Sequence, residues 1–332
     1  MTYRLGILDQ SRIADEDNPQ DALQATIRLA EQAEEWGYER FWVSEHHGKE
    51  ELAGASPEIL MSYLLAKTKT IRIGSGGVML QHYSPYKVAE NFHVLANLAS
   101  GRIDAGIGKG PGGGPKTSEA LRQGGPDTIP FTEKLQELDR LLRGSYTSAL
   151  PSPIPAEPPD RFLLGAGVKS SELAAEHHWN FVFAAFINGD REELQRTAQA
   201  YRKQYPDGRF ICCLPVFAAH SRQTAVALAE DSKVYRVKTA GKTVTVTTRE
   251  EAEKLGRETG EAFEIESHTI EVIAGTANDV HHRLEQLQQE HDIDEFLLLT
   301  SIGTKEQRMQ SFQLLSPSQH HSARKEKADV SS

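Results

Sequence analysis

Short apolar runs and longer stretches of helical period alternate along this chain from its first residues almost to its last. Residues 5–8 form an apolar run that gives way to polar Asp9-Gln10-Ser11, as a buried strand opening into a loop would. From Asp21 the period changes. Leu23, Ile27, Ala30 and Ala33 recur at helical spacing, and Gly37 follows Trp36 as a C-cap. Strand-like runs return at 41–43, 71–73, 103–107, 162–164, 181–183, 211–216 and 296–299. Nearly all are separated by helical patterns: two opened by Pro57 and Pro85, others at 132–143, from Ser170, at 191–205, 224–237, 280–290 and 305–315.

Eight short, continuous apolar runs suit strands buried on both faces of a parallel sheet. Eight βα units favour closure into a (β/α)8 TIM barrel with insertions over an open sheet. The 332 residues leave room for insertions beyond the roughly 250 that such a barrel needs. A single domain is expected over residues 1–315, followed by a polar, frayed tail at 316–332. Residues 241–266 are charged and less regular, and read as a lid-like excursion before the last βα unit.

Composition narrows the partners. The net charge is −10, with no cluster of Lys and Arg ahead of the tail, which argues against nucleic acid or an anionic membrane. No stretch approaches the roughly 18 apolar residues of a membrane span. The start of the chain lacks the apolar segment of a signal peptide. Cys212 and Cys213 are neighbours in a strand-like run, so they point to opposite faces and are read as buried free thiols in a reducing compartment. A cytoplasmic protein acting on a small molecule is expected.

In such barrels the working residues lie at the carboxyl ends of strands. That rule selects Asp9, Glu45, His46, His47, Gly76, Gly77, Lys109, the 165–169 loop, residues 185–188 and Ser301. Glu45-His46-His47 suits proton transfer, because imidazole titrates near neutral pH. Metal ligation is the other option for the trio. It is disfavoured because adjacent histidines rarely face one ion and no HxxxH or CxxC spacing lies nearby, and no metal site is expected. Gly108-Lys109-Gly110-Pro111-Gly112-Gly113 fits GxGxxG, but Pro111, Pro115 and the lack of a second βαβ half speak against a dinucleotide site. A P-loop reading of 110–117 fails at Pro115. The stretch is read as a ligand-covering loop with Lys109 free to meet an anion. Gly165-Ala166-Gly167-Val168-Lys169-Ser170-Ser171 follows a strand and opens a helix, so backbone amides there could meet a phosphate. An ordinary loop with a capping serine fits the same residues. Gly76-Gly77 marks close approach or an unusual dihedral, and beside His46 suggests a flat ligand against main chain. The pairs His177-His178, His281-His282 and His320-His321 are read as surface residues.

Taken together, Trp42-Val43-Ser44-Glu45-His46-His47, Gly74-Ser75-Gly76-Gly77-Val78-Met79-Leu80, Pro85-Tyr86-Lys87-Val88-Ala89-Glu90 and Gly101-Arg102-Ile103-Asp104-Ala105-Gly106-Ile107-Gly108 resemble the bacterial luciferase-like family of flavin-dependent monooxygenases. The likeness covers roughly residues 3–315, through Val272-Ile273-Ala274-Gly275-Thr276. It implies a TIM barrel that binds FMN or, in some branches, the deazaflavin F420, here the less favoured. His46 matches the histidine that serves as acid/base, and Glu45 the glutamate near the flavin. Gly76 and Gly77 match a pair joined by a non-prolyl cis peptide under the isoalloxazine. Lys109 stands where luciferases place an arginine against the flavin phosphate, and Ala166, Gly167 and Val168 on the phosphate loop. Two departures stand out: Ala166-Gly167 replaces Glu-Ser, and Ala185, followed by Phe186, stands at a pocket position that is often polar or aromatic. The activity implied is an FMN-dependent monooxygenase that oxidises a small organic substrate with O2, its reduced FMN supplied by an NAD(P)H:flavin reductase. Rival readings are F420-dependent hydride transfer and a non-catalytic flavin-binding protein. A homodimer is expected, and light emission is not implied.

Overall fold

The computed structural model describes residues 3–14, 17–123, 129–145, 149–230, 233–240, 243–246, 248–269 and 272–320. Eight parallel strands form its centre: β1 Arg4–Asp9, β2 Arg40–Val43, β3 Arg72–Ser75, β4 Ile103–Gly108, β5 Asp160–Gly165, β6 Asn180–Ala184, β7 Phe210–Ala218 and β8 Glu295–Leu299. Each pairs with the next in chain order, and β8 pairs with β1, closing the barrel. All eight coincide with the apolar runs of the sequence to within a few residues. Main helices at Pro19–Glu35, Pro57–Lys67, Pro85–Leu98, Phe131–Leu142, Val168–Glu176, Arg191–Gln204, Ala277–His291 and Lys305–Leu314 surround it. Their starts are set locally. Asn18 and Asp21 form a capping box ahead of Pro19, as do Thr276 with Asp279 and Thr304 with Gln307.

Because side chains alternate along a strand, the barrel carries two cores. Ile7, Phe41, Ile73, Ile107, Phe181 and Phe210 face outward against the helices. Leu8, Trp42, Phe162, Val182, Ile211, Cys213, Leu297 and Leu299 fill the interior. Cys212 joins the outer core and Cys213 the inner one, both as free thiols, as their adjacency predicts. The amino-terminal end of the barrel is closed by charge: buried Arg40 bonds Glu295 and Asp104 at 2.5 Å each, and Trp42 Nε1 donates to Asp104 at 2.9 Å.

Three expectations change. The helix expected over 224–237 stops at Ala229, and Lys233–Lys238 is a strand. The excursion is not irregular. Lys233–Lys238 pairs antiparallel with Thr243–Val246 and Glu264–Thr269, and the helix Arg249–Thr259 packs on this small sheet. Val237, Val246, Ala252 and Leu255 make a core of its own, too small to show in a sequence dominated by charge. His281 is buried rather than on the surface, with its Nδ1 3.1 Å from Tyr3 Oη. At the end of the domain Leu315 and Ser316 are buried, and Ser318 N–H donates to Trp36 O. The rest of the expected tail, from 321, lies outside the described residues.

Candidate active site

Strands β2 to β5 are consecutive neighbours, so their carboxyl ends form one continuous arc of the barrel mouth. The residues expected to hold a flavin and handle its protons all fall on it. Glu45 and His46 follow β2, Gly76 and Gly77 follow β3, Lys109 follows β4, and Ala166, Gly167 and Val168 follow β5. Of the other strand-end candidates, residues 185–188 follow β6 and Ser301 follows β8. Asp9 is buried and bonds Arg308 at 2.5 Å and Thr26 at 2.6 Å, a structural role.

The β2 and β3 ends are joined directly. Gly76 N–H donates to Val43 O at 2.8 Å, and the Gly76-Gly77 peptide bond is cis. Side chains would not fit here: a Cβ on Gly77 would lie 2.8 Å from Gly106 O. Gly76 and Gly77 therefore follow β3 as bare main chain, on the strand that neighbours the one leading to His46. The His46 ring is held by Ser44, whose Oγ lies 3.0 Å from Nδ1, while its backbone N–H donates to Gly54 O at 2.8 Å. Nε2 has no hydrogen bond among the described residues. Desolvation, with smaller contributions from Lys49 and His47, lowers the His46 pKa to about 3, so the imidazole is neutral across the physiological range.

Glu45 and His47 form a second unit. Glu45 is fully buried, and both its oxygens are engaged. Oε1 lies 2.7 Å from His47 Nε2 and accepts from Tyr83 Oη at 2.8 Å, while Oε2 accepts from Met79 N–H at 3.0 Å. One carboxylate thus ties the β2 loop to the segment after β3. Burial, then the Glu45 charge, raises the Tyr83 pKa, which keeps the phenol a donor. His47 N–H in turn donates to Gly112 O at 2.7 Å, and His82 Nε2 lies 2.8 Å from Pro111 O. The glycine-rich loop expected to cover a ligand is therefore stapled to both. Among the described residues, no group of three or more acidic, His or Cys side chains is placed to hold a metal ion.

Gly108 pairs with Leu164, so Lys109 leaves β4 next to the end of β5 at Gly165. Lys109 is exposed and has no ion pair among the described residues. Val168 opens its helix, and its N–H donates to the Glu193 carboxylate at 3.2 Å. A Cβ on Gly167 would lie 2.7 Å from the same oxygen. Ala166 O accepts from Asn188 Nδ2 at 3.2 Å, linking this loop to the one after β6. Above the arc, the helix Arg249–Thr259 of the insertion packs on the short helix Pro115–Leu121. Ser44, Tyr83 and Glu193 were missed in the sequence. Ser44 had a signal, being two residues from His46 in the same motif. Tyr83 and Glu193 had none, because their partners lie 38 and 25 residues away.

The sequence profile of the luciferase-like monooxygenases matches residues 3–292. The N-acetyl-S-alkylcysteine monooxygenase of Bacillus subtilis (strain 168) is 42% identical, over 94% of this chain and 97% of its own. Among solved structures, apo-MsnO8 superposes with a TM-score of 0.78 at 28% identity, covering 96% of this chain and 98% of its own. The oxygenating constituent of 3,6-diketocamphane monooxygenase from the CAM plasmid of Pseudomonas putida, in complex with FMN, shares the fold. Its TM-score is 0.71 at 17% identity, over 96% of this chain and 97% of its own. These matches run across the same strand ends that carry the site. The chain belongs to the luciferase-like monooxygenase family.

Proposed function

We propose that this protein is an FMN-dependent monooxygenase that takes reduced FMN from a separate NAD(P)H:flavin reductase and, with O2, oxidises a small organic substrate. The observation that carries this reading is the placement of half-buried, neutral His46 and the bare Gly76-Gly77 main chain on adjoining strand ends. The residues present fit the cofactor. Main chain without side chains at Gly76 and Gly77 suits a planar ring. Lys109 and the Val168 amide, the latter already holding a carboxylate, suit an anionic terminus.

Reduced flavin in this site would supply the two electrons that let one oxygen atom of O2 enter the substrate and the other leave as water. The rest is the protein's work. His46, fixed through Nδ1 by Ser44, presents Nε2 to take and return a proton at the reacting centre. Glu45 positions rather than reacts: through Met79, Tyr83 and His47 it holds the two strand ends at one spacing. The insertion, resting on the loop after β4, is placed to keep water from the mouth.

The 42% identity to an N-acetyl-S-alkylcysteine monooxygenase supports thioethers of that class as the first substrates to offer. The test is an aerobic reaction of the protein with FMN, NADH, a flavin reductase and an N-acetyl-S-alkylcysteine under labelled O2. One labelled oxygen atom should enter the product. His46→Ala should bind FMN nearly as the parent does, yet lose about 10²–10⁴-fold in turnover, the range for removing a general acid–base. Full turnover without His46 would remove its role. Binding of F420 in place of FMN would overturn the cofactor, and flavin binding with no oxygenated product from any substrate would point to a non-catalytic protein.

A further inference from the structure

The carboxylate of Glu193 sits where a cofactor phosphate would be held. It does not belong to the helix it caps: it comes from Arg191–Gln204, the next helix along the chain. Its Oε1 accepts from Val168 N–H at 3.2 Å, and its Oε2 accepts from Arg196 Nη2 at 2.6 Å and Nε at 3.2 Å. A Cβ at 167 would stand 2.7 Å from Oε1, so the carboxylate end of Glu193 lies directly against the Gly167 backbone. The site departs from the Glu-Ser of luciferases by Ala166-Gly167, so it has no side-chain hydroxyl at these two positions. What it has instead is a backbone donor, the nearby Lys109, and an acidic residue already in place.

We propose that Glu193 is a built-in competitor for the phosphate seat: cofactor phosphate must displace its carboxylate from the Val168 amide. Its negative charge sets how tightly the phosphate-bearing cofactor is held. This rests on the placement of the flavin phosphate at Ala166, Gly167 and Val168. The chemistry gives the device a purpose. A flavin that is reduced elsewhere must arrive and leave in every cycle, so a seat that binds phosphate without opposition would hold the spent cofactor. Arg196 restrains the competitor. By bonding the carboxylate on its far oxygen, it gives Glu193 a second partner to retreat to once the amide is taken.

Charge and hydrogen bonding separate in the variants. Glu193→Gln keeps an oxygen for the Val168 amide but removes the charge, and a unit charge about 4 Å from a phosphate in a solvated site is worth roughly five-fold in affinity. FMN and riboflavin, which lacks the phosphate, would be titrated by fluorescence quenching into the parent, Glu193→Gln and Arg196→Gln, with thermal melting to confirm that each is folded. The parent should bind FMN more tightly than riboflavin. Glu193→Gln should tighten FMN by about five-fold and leave riboflavin unchanged. Arg196→Gln, which frees the competitor, should weaken FMN alone. If FMN and riboflavin bind the parent equally, or neither binds, the phosphate placement itself falls. If FMN is preferred but Glu193→Gln leaves that preference unchanged or lowers it, the placement stands and Glu193 is only a helix cap.

Discussion

The His46 imidazole is neutral because of where its ring is, and that has a cost in acid. Its folded pKa of about 3 lies below the ordinary value of 6.5, with desolvation the main cause. Between those values the unfolded chain binds a proton that the folded protein refuses, so stability rises with pH through that window and falls as the solution is acidified from about 6.5 towards 3. The loss would reach several kcal/mol at the acid end, since each pH unit crossed in that window costs about 1.4 kcal/mol. Replacement of His46 by Gln should flatten this limb. Urea midpoints measured at pH 7, 6, 5 and 4 would check it, and parallel pH profiles in parent and variant would show that other groups govern the acid response. Turnover, for the same reason, should show no ascending limb near pH 6.5 arising from His46. A histidine is visible in any sequence. Its Ser44 contact and its desolvation are not.

Among the strands and loops, the site depends on how closely β3 and β4 approach. Ser75 and Gly106 bond each other twice, through Ser75 Oγ to Gly106 O at 2.7 Å and Gly106 N–H to Ser75 Oγ at 3.1 Å. A Cβ on Gly106 would lie 1.8 Å from Ser75 O, a backbone atom that cannot rotate away. Gly106→Ala should therefore destabilise by at least the upper end of the roughly 1–3 kcal/mol typical of overpacking. It should also loosen FMN binding, because Gly77 rests on Gly106 O; chemical denaturation and a flavin titration would read the two effects. Element positions were legible because each barrel strand is a continuous apolar run and each helix has a period. The insertion was not legible as a sheet. Lys233–Lys238 carries no period of two: its buried residues, Val234 and Val237, are three apart, and the small-residue helical pattern before it runs straight on into the strand.

Among the described residues, four large apolar side chains stand exposed on two neighbouring helices of the outer ring. Ile59 is 75% exposed and Tyr63 49% on Pro57–Lys67, and Leu98 is 65% exposed and Val94 44% on the neighbouring helix Pro85–Leu98. Exposed apolar side chains on two neighbouring helices suit an interaction site, and we propose that a second copy covers them in the homodimer expected from the sequence. Light scattering of the parent should give twice the chain mass, and the double variant Ile59→Glu, Leu98→Glu should give the chain mass with its fold retained. A monomeric parent would remove the proposal. None of the described helices is long and apolar enough to cross a membrane.

The order of apolar runs and helical periods determined the eight βα units and favoured their closure, because a parallel strand buried on both faces leaves a mark in every residue it contains. It also placed Glu45, His46, Gly76, Gly77, Lys109 and Ala166-Gly167-Val168 at strand ends, since chain order alone says which loop follows which strand. Tertiary structure decided what those residues do to one another. It gave Glu45 to Tyr83, His47 and Met79, gave His46 to Ser44, and set Glu193 on the Val168 amide. Hydrogen bonds and desolvation act between groups a few ångströms apart, and the barrel brings together groups that the chain separates by tens of residues.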